Sequence, residues 1–243
     1  MKAIGVIPAR WGSTRFEGKV LAKLKGKYLI QHVWEKIRQS RLLDGVLIAC
    51  DDERVMKAAE EFGAKAVMTS SKHPSGTDRI AEAVRSLAVE VVVNIQADEP
   101  LIEPKVIDHL VQTLLDDKAC MMATAIKLIE DEQDVANPNI VKVVVDQNRH
   151  ALYFSRAMIP YNRDKRKFKD MHYYKHLGLY AYRKEFLLKF KELPRSHLES
   201  TEKLEQLRAL EAGYKIKTIE TNIDTIGVDT PNDLVKVEKL LNK

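Results

Sequence analysis

Cations and small residues crowd one short stretch near the start of the chain, Pro8-Ala9-Arg10-Trp11-Gly12-Ser13-Thr14-Arg15-Phe16-Glu17-Gly18-Lys19. Small side chains let backbone N–H groups approach a phosphate chain closely, while Arg10, Arg15 and Lys19 neutralise its charge. The stretch is neither a Walker A loop nor the dinucleotide-binding glycine fingerprint, so P-loop hydrolysis and hydride transfer lose their main signatures. Two further segments carry carboxylates: Gln96-Ala97-Asp98-Glu99-Pro100 directly follows an apolar run, and Gly227-Val228-Asp229-Thr230-Pro231 leaves another. Either aspartate alone reads equally well as a turn or helix-cap residue. Together, facing a basic loop, Asp98 and Asp229 suit a hard cation such as Mg²⁺ shared with a nucleotide. A fourth segment, His73-Pro74-Ser75-Gly76-Thr77-Asp78-Arg79, could wall a base or ribose; its plainer reading is a helix start capped by Thr77.

These segments need a scaffold that brings them to one edge. Apolar strands (3–7, 46–49, 64–68, 91–95) alternate with helical spacing at Leu29/Ile30/Val33/Trp34/Ile37, through Val55/Met56/Ala59/Phe62, at Ile80/Ala81/Val84 and at Val106/Ile107/Leu110/Val111. Such alternation predicts an α/β protein with a mostly parallel, doubly wound sheet, whose ligands bind beyond the carboxyl ends of the strands. The second half changes character. Strands over 121–126, 140–145, 151–155 and 176–182 lack long helices between most of them, which predicts a small mixed or antiparallel lobe within about 121–182. Helices over 202–212 and 232–241 flank a strand at 215–220, with Thr230 or Asn232 capping the last helix. No repeat or linker divides the chain, so residues 1–243 are read as one domain.

Composition narrows the function. With 243 residues, 45% hydrophobic and 31% charged, the chain is ordinary globular material. No apolar stretch approaches the roughly 20 residues of a membrane span, and a cytoplasmic location without membrane insertion is expected. A net charge of +5 favours anionic partners. The densest basic run, Arg163 to Lys169, lacks the aromatic interleaving of a single-strand-binding platform, so nucleic acid is not an expected partner. Cys50 and Cys120 read as buried free thiols. His172 and His176 sit four apart in what looks like strand, about 13 Å from each other, which rules out a shared zinc.

The chain resembles the 3-deoxy-manno-octulosonate cytidylyltransferase (CMP-Kdo synthetase) family over essentially its whole length. The resemblance rests on Ile7-Pro8-Ala9-Arg10, Ser13-Thr14-Arg15 and Gly18-Lys19, on Ser75-Gly76-Thr77-Asp78-Arg79, and on Asn94-Ile95-Gln96 with Asp98-Glu99-Pro100. It continues through Ala136-Asn137-Pro138-Asn139 and Gly227-Val228-Asp229-Thr230-Pro231. Tyr153-Phe154-Ser155-Arg156, His176-Leu177-Gly178-Leu179-Tyr180 and Leu204-Glu205-Gln206-Leu207-Arg208, in that order, point to Kdo, an acidic eight-carbon sugar. The resemblance implies a Rossmann-like nucleotidyltransferase fold, with the mixed lobe serving dimerisation, and a homodimer. It implies transfer of CMP from CTP to the anomeric hydroxyl of Kdo, giving CMP-Kdo and pyrophosphate for lipopolysaccharide biosynthesis. Ala9, Arg10, Ser13 and Lys19 would hold the triphosphate; Ser75, Gly76 and Arg79 the cytidine; Asp98 and Asp229 Mg²⁺. Arg15, Gln96, His176, Tyr180, Glu205 and Gln206 would line the sugar pocket. The catalytic set is then Lys19, Arg10, Asp98 and Asp229. Two departures stand out. Glu17 replaces the family's proline, loosening the turn and adding a negative charge near Lys19, and Ala97 replaces its usual glycine. A sialic acid, an amino-modified Kdo or a sugar phosphate as acceptor, and a non-catalytic nucleotide sensor, are the competing readings.

Overall fold

The computed structural model describes residues 1–12 and 16–241. The chain opens with β1 (Ala3–Ala9), a small hairpin of β2 (Lys23–Leu24) and β3 (Lys27–Tyr28), and α1 (Leu29–Ile37). It continues through β4 (Val46–Cys50), α2 (Glu53–Glu61), β5 (Lys65–Met68), α3 (Gly76–Ala83), β6 (Val91–Asn94) and α4 (Pro104–Asp116). Strand β1 pairs in parallel with β4 on one side and β6 on the other, and β5 adds in parallel beyond β4. The winding therefore reverses between β1 and β6, the place where loops diverge and an open sheet leaves a crevice.

The second half is built into the same sheet. After β7 (Met122–Leu128) come α5 (Glu132–Ala136), the pair β8 (Lys142–Val145) and β9 (Ala151–Ser155), and the long β10 (Tyr174–Arg183). Strand β10 runs antiparallel between β6 and β7, giving the order β5-β4-β1-β6-β10-β7 and then β11 (Ile216–Glu220), which is parallel to β7. Of the strands expected in the mixed lobe, β7 and β10 thus run through the main sheet. Only the β8–β9 hairpin projects from it, paired to the start of β10 through Tyr174 and Lys175. Between β10 and β11 lie α6 (Lys184–Glu192), α7 (His197–Glu202) and α8 (Leu207–Glu211); α9 (Pro231–Leu240) follows β11. The single helix expected over 202–212 is broken at Lys203, whose φ of 56° is left-handed. That kink puts Leu204-Glu205-Gln206 in a turn rather than on a helix face. Thr230 caps α9 as read, in a reciprocal box with Asp233.

Alternation along the buried strands divides the core between two faces. Ala3 and Ile7 of β1 and Val91 and Val93 of β6 meet α1, α2 and α4, while Ile4, Val6 and Val92 meet α3, α6 and α8. Arg183, at the end of β10, is buried and ties this sheet to the α4–β7 turn. It donates to the carbonyls of Leu114, Cys120 (3.1 Å) and Asp117 (3.2 Å) and to Glu90 Oε1 (2.8 Å). Replacing it by methionine keeps the packing but strands those carbonyls. Arg183→Met should lose about 3 kcal/mol in urea denaturation, and a loss below about 1 kcal/mol would show that the turn is held by other means.

Candidate active site

The first loop leaves β1 at Ala9, whose side chain is buried, so only its backbone can face a ligand. Arg10 is exposed at the mouth of a cleft of about 330 Å³. The loop's two ends are locked together. Gly18 N–H donates to the Trp11 carbonyl (3.1 Å), and Gly18 sits at φ +64° with the Trp11 ring so close that a Cβ would lie 2.7 Å from it. Only glycine fits there. Glu17 accepts the Trp11 indole N–H at 3.1 Å, and Arg54 lies 3.6 Å over the same ring. The departure at Glu17 thus closes the turn through Trp11. Ser13 and Arg15 lie outside the described residues.

Lys19 follows Gly18 and points to the floor of the cleft. Its ammonium donates to Asp98 Oδ2 (2.5 Å), Asp229 Oδ1 (3.0 Å) and the Val228 carbonyl (3.1 Å). Asp98 stands just beyond β6, and Asp229 reaches the same point because Val228 N–H bonds the Asp98 carbonyl at 2.9 Å. Burial alone would pull the Lys19 pKa down, but Asp98 first and then Asp229 hold it above the ordinary lysine value. Two carboxylate oxygens converging on one cationic centre could equally share a small hard metal ion. No group of three or more His, Cys, Asp or Glu ligands occurs among the described residues. Neighbouring Glu99 is pushed up to about 8, by burial and then by Asp98 and Asp224, and adds little charge at neutral pH.

The facing wall is the start of α3. Its cap is Ser75, which accepts the Asp78 N–H (3.2 Å), and not Thr77. Thr77 instead donates to Glu205 Oε2 at 2.5 Å. Gly76 passes close to Pro8, where a Cβ would meet the ring at 3.2 Å. Lys19, Arg10, Ser75, Gly76, Arg79, Gln96, Asp98 and Asp229 all line this one cleft, joined by Ala97 and by His73 at its rim.

Of the residues assigned to the sugar, His176 and Tyr180 lie on β10, Gln96 just beyond β6, and Glu205 and Gln206 in the turn before α8. Gln96 lines the cleft that holds Lys19, Glu205 lines a neighbouring one with Pro74 and Ser75, and His176, Tyr180 and Gln206 line neither. Gln96 donates to the Gly178 carbonyl at 3.2 Å, at a bulge in β10. His176 and Tyr180 pack with ring centroids 5.2 Å apart, and His176 Nε2 meets Thr124 Oγ1 at 2.9 Å. Both rings are half-buried. Glu205 has its pKa raised by burial, and Gln206 is buried with Nε2 lacking a hydrogen-bond partner among the described residues.

Comparison with known proteins fits this arrangement. A cytidylyltransferase family model matches residues 4–219. The 3-deoxy-manno-octulosonate cytidylyltransferase of Thermodesulfovibrio yellowstonii is 53% identical over 253 residues, covering 100% of this chain and 99% of that protein. The enzyme of that name from Solibacter usitatus is 50% identical, covering 98% and 94%. The chain belongs to the 3-deoxy-manno-octulosonate cytidylyltransferase family. A solved CMP:2-keto-3-deoxy-manno-octonic acid synthetase in complex with CTP superposes with a TM-score of 0.94 at 44% identity, covering 100% of this chain and 99% of that one.

Sequence reasoning missed several residues that shape this cytidylyltransferase site. Thr77 orients Glu205, and Asp51, just past β4, bonds both the first loop and Arg79. The signal for Asp51 was present, since a carboxylate directly after an apolar strand is what singled out Asp98.

Burial drives the His176 pKa from 6.5 down to about 3. Below pH 6.5 the unfolded chain takes up a proton that the folded one refuses until about pH 3, so this residue costs stability as pH falls through that window. His176→Asn should therefore lose less stability than the wild type between pH 6.5 and 4, the difference approaching about 1.4 kcal/mol per pH unit. Denaturant titrations across that range measure it; parallel curves would mean that His176 is protonated in the folded enzyme.

Proposed function

We propose that this enzyme joins CMP from CTP to the anomeric hydroxyl of Kdo, releasing pyrophosphate and supplying activated sugar for lipopolysaccharide. The observation that carries the reading is the Lys19 ammonium between Asp98 and Asp229, on the floor of a cleft at the sheet's switch point. The sugar hydroxyl attacks the α-phosphorus in line, a reaction in which the protein chiefly positions groups and stabilises charge. Arg10 and Lys19, with backbone N–H groups of the first loop, hold the phosphates and neutralise the charge that grows on departing pyrophosphate. The start of α3, with Ser75, Gly76 and Arg79, walls the cytidine. Gln96, His176, Tyr180, Glu205 and Gln206 hold the sugar, with neutral His176 serving as a hydrogen-bonding and packing surface rather than a charge. Asp98 and Asp229 would hold Mg²⁺, whose oxygen preference their carboxylates meet. When bound, the ion supplies charge neutralisation at the phosphates and lowers the pKa of a ligated hydroxyl.

The reaction would run in the cytoplasm, where CTP is available. No helix among the described residues is long and apolar enough to cross a membrane. A homodimer is supported by the β8–β9 hairpin and the segment after it, where Leu152 is 61% and Tyr161 78% exposed and Met158 is exposed as well. Water-facing apolar groups of this kind favour contact with a second copy.

Pyrophosphate release with CTP, Mg²⁺ and either Kdo, amino-modified Kdo or sialic acid tests the acceptor; turnover with sialic acid but not Kdo would refute it. Lys19→Ala should lower kcat by about 100-fold or more while the variant still melts cooperatively, at a lowered temperature because Asp98 and Asp229 lose their shared cation. Asp98→Asn should weaken Mn²⁺ binding followed by electron paramagnetic resonance, and undiminished binding would remove Asp98 from the metal site. In light scattering, Leu152→Glu with Tyr161→Asp should yield a monomer; an intact dimer would place the interface elsewhere.

A further inference from the structure

Asp51 stands behind the cleft wall, at the first position after β4, with its side chain only 11% exposed. One carboxylate oxygen, Oδ1, accepts the backbone N–H of Trp11 at 2.9 Å. The other, Oδ2, accepts Arg79 Nη2 at 2.7 Å. Arg79 is itself buried and lines the cleft, and its Nη1 donates to Thr69 Oγ1 at 2.6 Å. Thr69 Oγ1 in turn donates to the Cys50 carbonyl, the residue before Asp51, at 2.8 Å. A single carboxylate thus ties together the loop after β1, the ends of β4 and β5, and α3.

We propose that Asp51 is a positioning residue for the nucleotide, fixing the backbone of the first loop and the Arg79 guanidinium relative to each other. The inference rests on the reading that this cleft binds CTP. Both tethers have the direction this requires. The Trp11 N–H points inward at Asp51, which sets the plane of the Arg10–Trp11 peptide and so the course on which Arg10 enters the cleft. Arg79 has two of its nitrogens committed to Asp51 and Thr69, so it presents one fixed face to the cleft instead of sampling rotamers. A charged acceptor serves two donors here, and charge-assisted bonds of this kind are stronger and shorter than neutral ones. An amide in the same place could satisfy only one of them, because its nitrogen would face a second donor.

Preorganisation of this kind should show in nucleotide affinity and not in acceptor affinity, since Asp51 touches neither the sugar residues nor the Lys19 cluster in any bond described above. The experiment is calorimetric binding of CTP to the wild type and to Asp51→Asn, with steady-state kinetics for both substrates and a thermal melt. Asp51→Asn should raise the CTP Kd and the CTP KM by about tenfold while the Kdo KM stays within twofold of wild type. If Asp51→Asn does not fold, Thr69→Val, which removes the second acceptor of Arg79 together with the bond from Thr69 to the Cys50 carbonyl, should raise the CTP Kd by about threefold. A lowered melting temperature with unchanged CTP affinity in the folded variant would overturn the proposal and leave Asp51 a stability residue alone. A wild type that binds no CTP would overturn the nucleotide reading, and the proposal with it.

Discussion

One lysine near the start of the chain holds two aspartates that lie far apart in its sequence. Carboxylates so close repel each other, and they stay together because the Lys19 ammonium sits between them, with the Val228 carbonyl taking part of its hydrogen-bonding capacity. The rest of the architecture serves this meeting. The switch between β1 and β6 lets the first loop and Asp98 share a crevice, and the backbone bond from Val228 to Asp98 brings the stretch before α9 to the same spot. With one cation between two carboxylates the floor keeps a negative charge in excess, a setting in which charges fixed by the fold act strongly on any ion that enters.

The remaining walls follow the same economy of placement. The start of α3 presents Ser75 and Gly76, and the close approach of Gly76 to Pro8 lets that helix lean on the first strand. Strand β10 runs against its neighbours, so it enters the sheet at the ligand edge and its first half extends past the end of β6. That polarity carries His176 and the Gly178 carbonyl toward Gln96, something a parallel strand at that place in the sheet could do only with its exit loop.

Much of this was legible in the residues. Continuous apolar runs between helical stripes announced the parallel sheet, and Lys19, Asp98 and Asp229 were marked by their positions at strand exits. What stayed hidden depended on partners far away in sequence. The pattern of β7 and β10 reads as a separate lobe because alternation cannot reveal which sheet a strand joins. Thr77 looks like a cap on local rules, yet Ser75 takes that task and frees Thr77 for Glu205, 128 residues distant. The break at Lys203 had no glycine to betray it. Asp51 bore the right mark, but nothing local said that its two oxygens would be divided between a loop amide and a buried arginine.

The bond from Lys19 to Asp229 spans 210 residues. A chain emerging from the ribosome lays down β1, its loop and the strand before Asp98 long before Asp229 exists. Contacts of such large sequence separation form late, because the intervening chain must be ordered before they can close. The scaffold can therefore be largely folded before the Lys19–Asp229 pair closes, and on the proposed assignment the reaction centre is complete only when the last stretch of chain docks against the sheet.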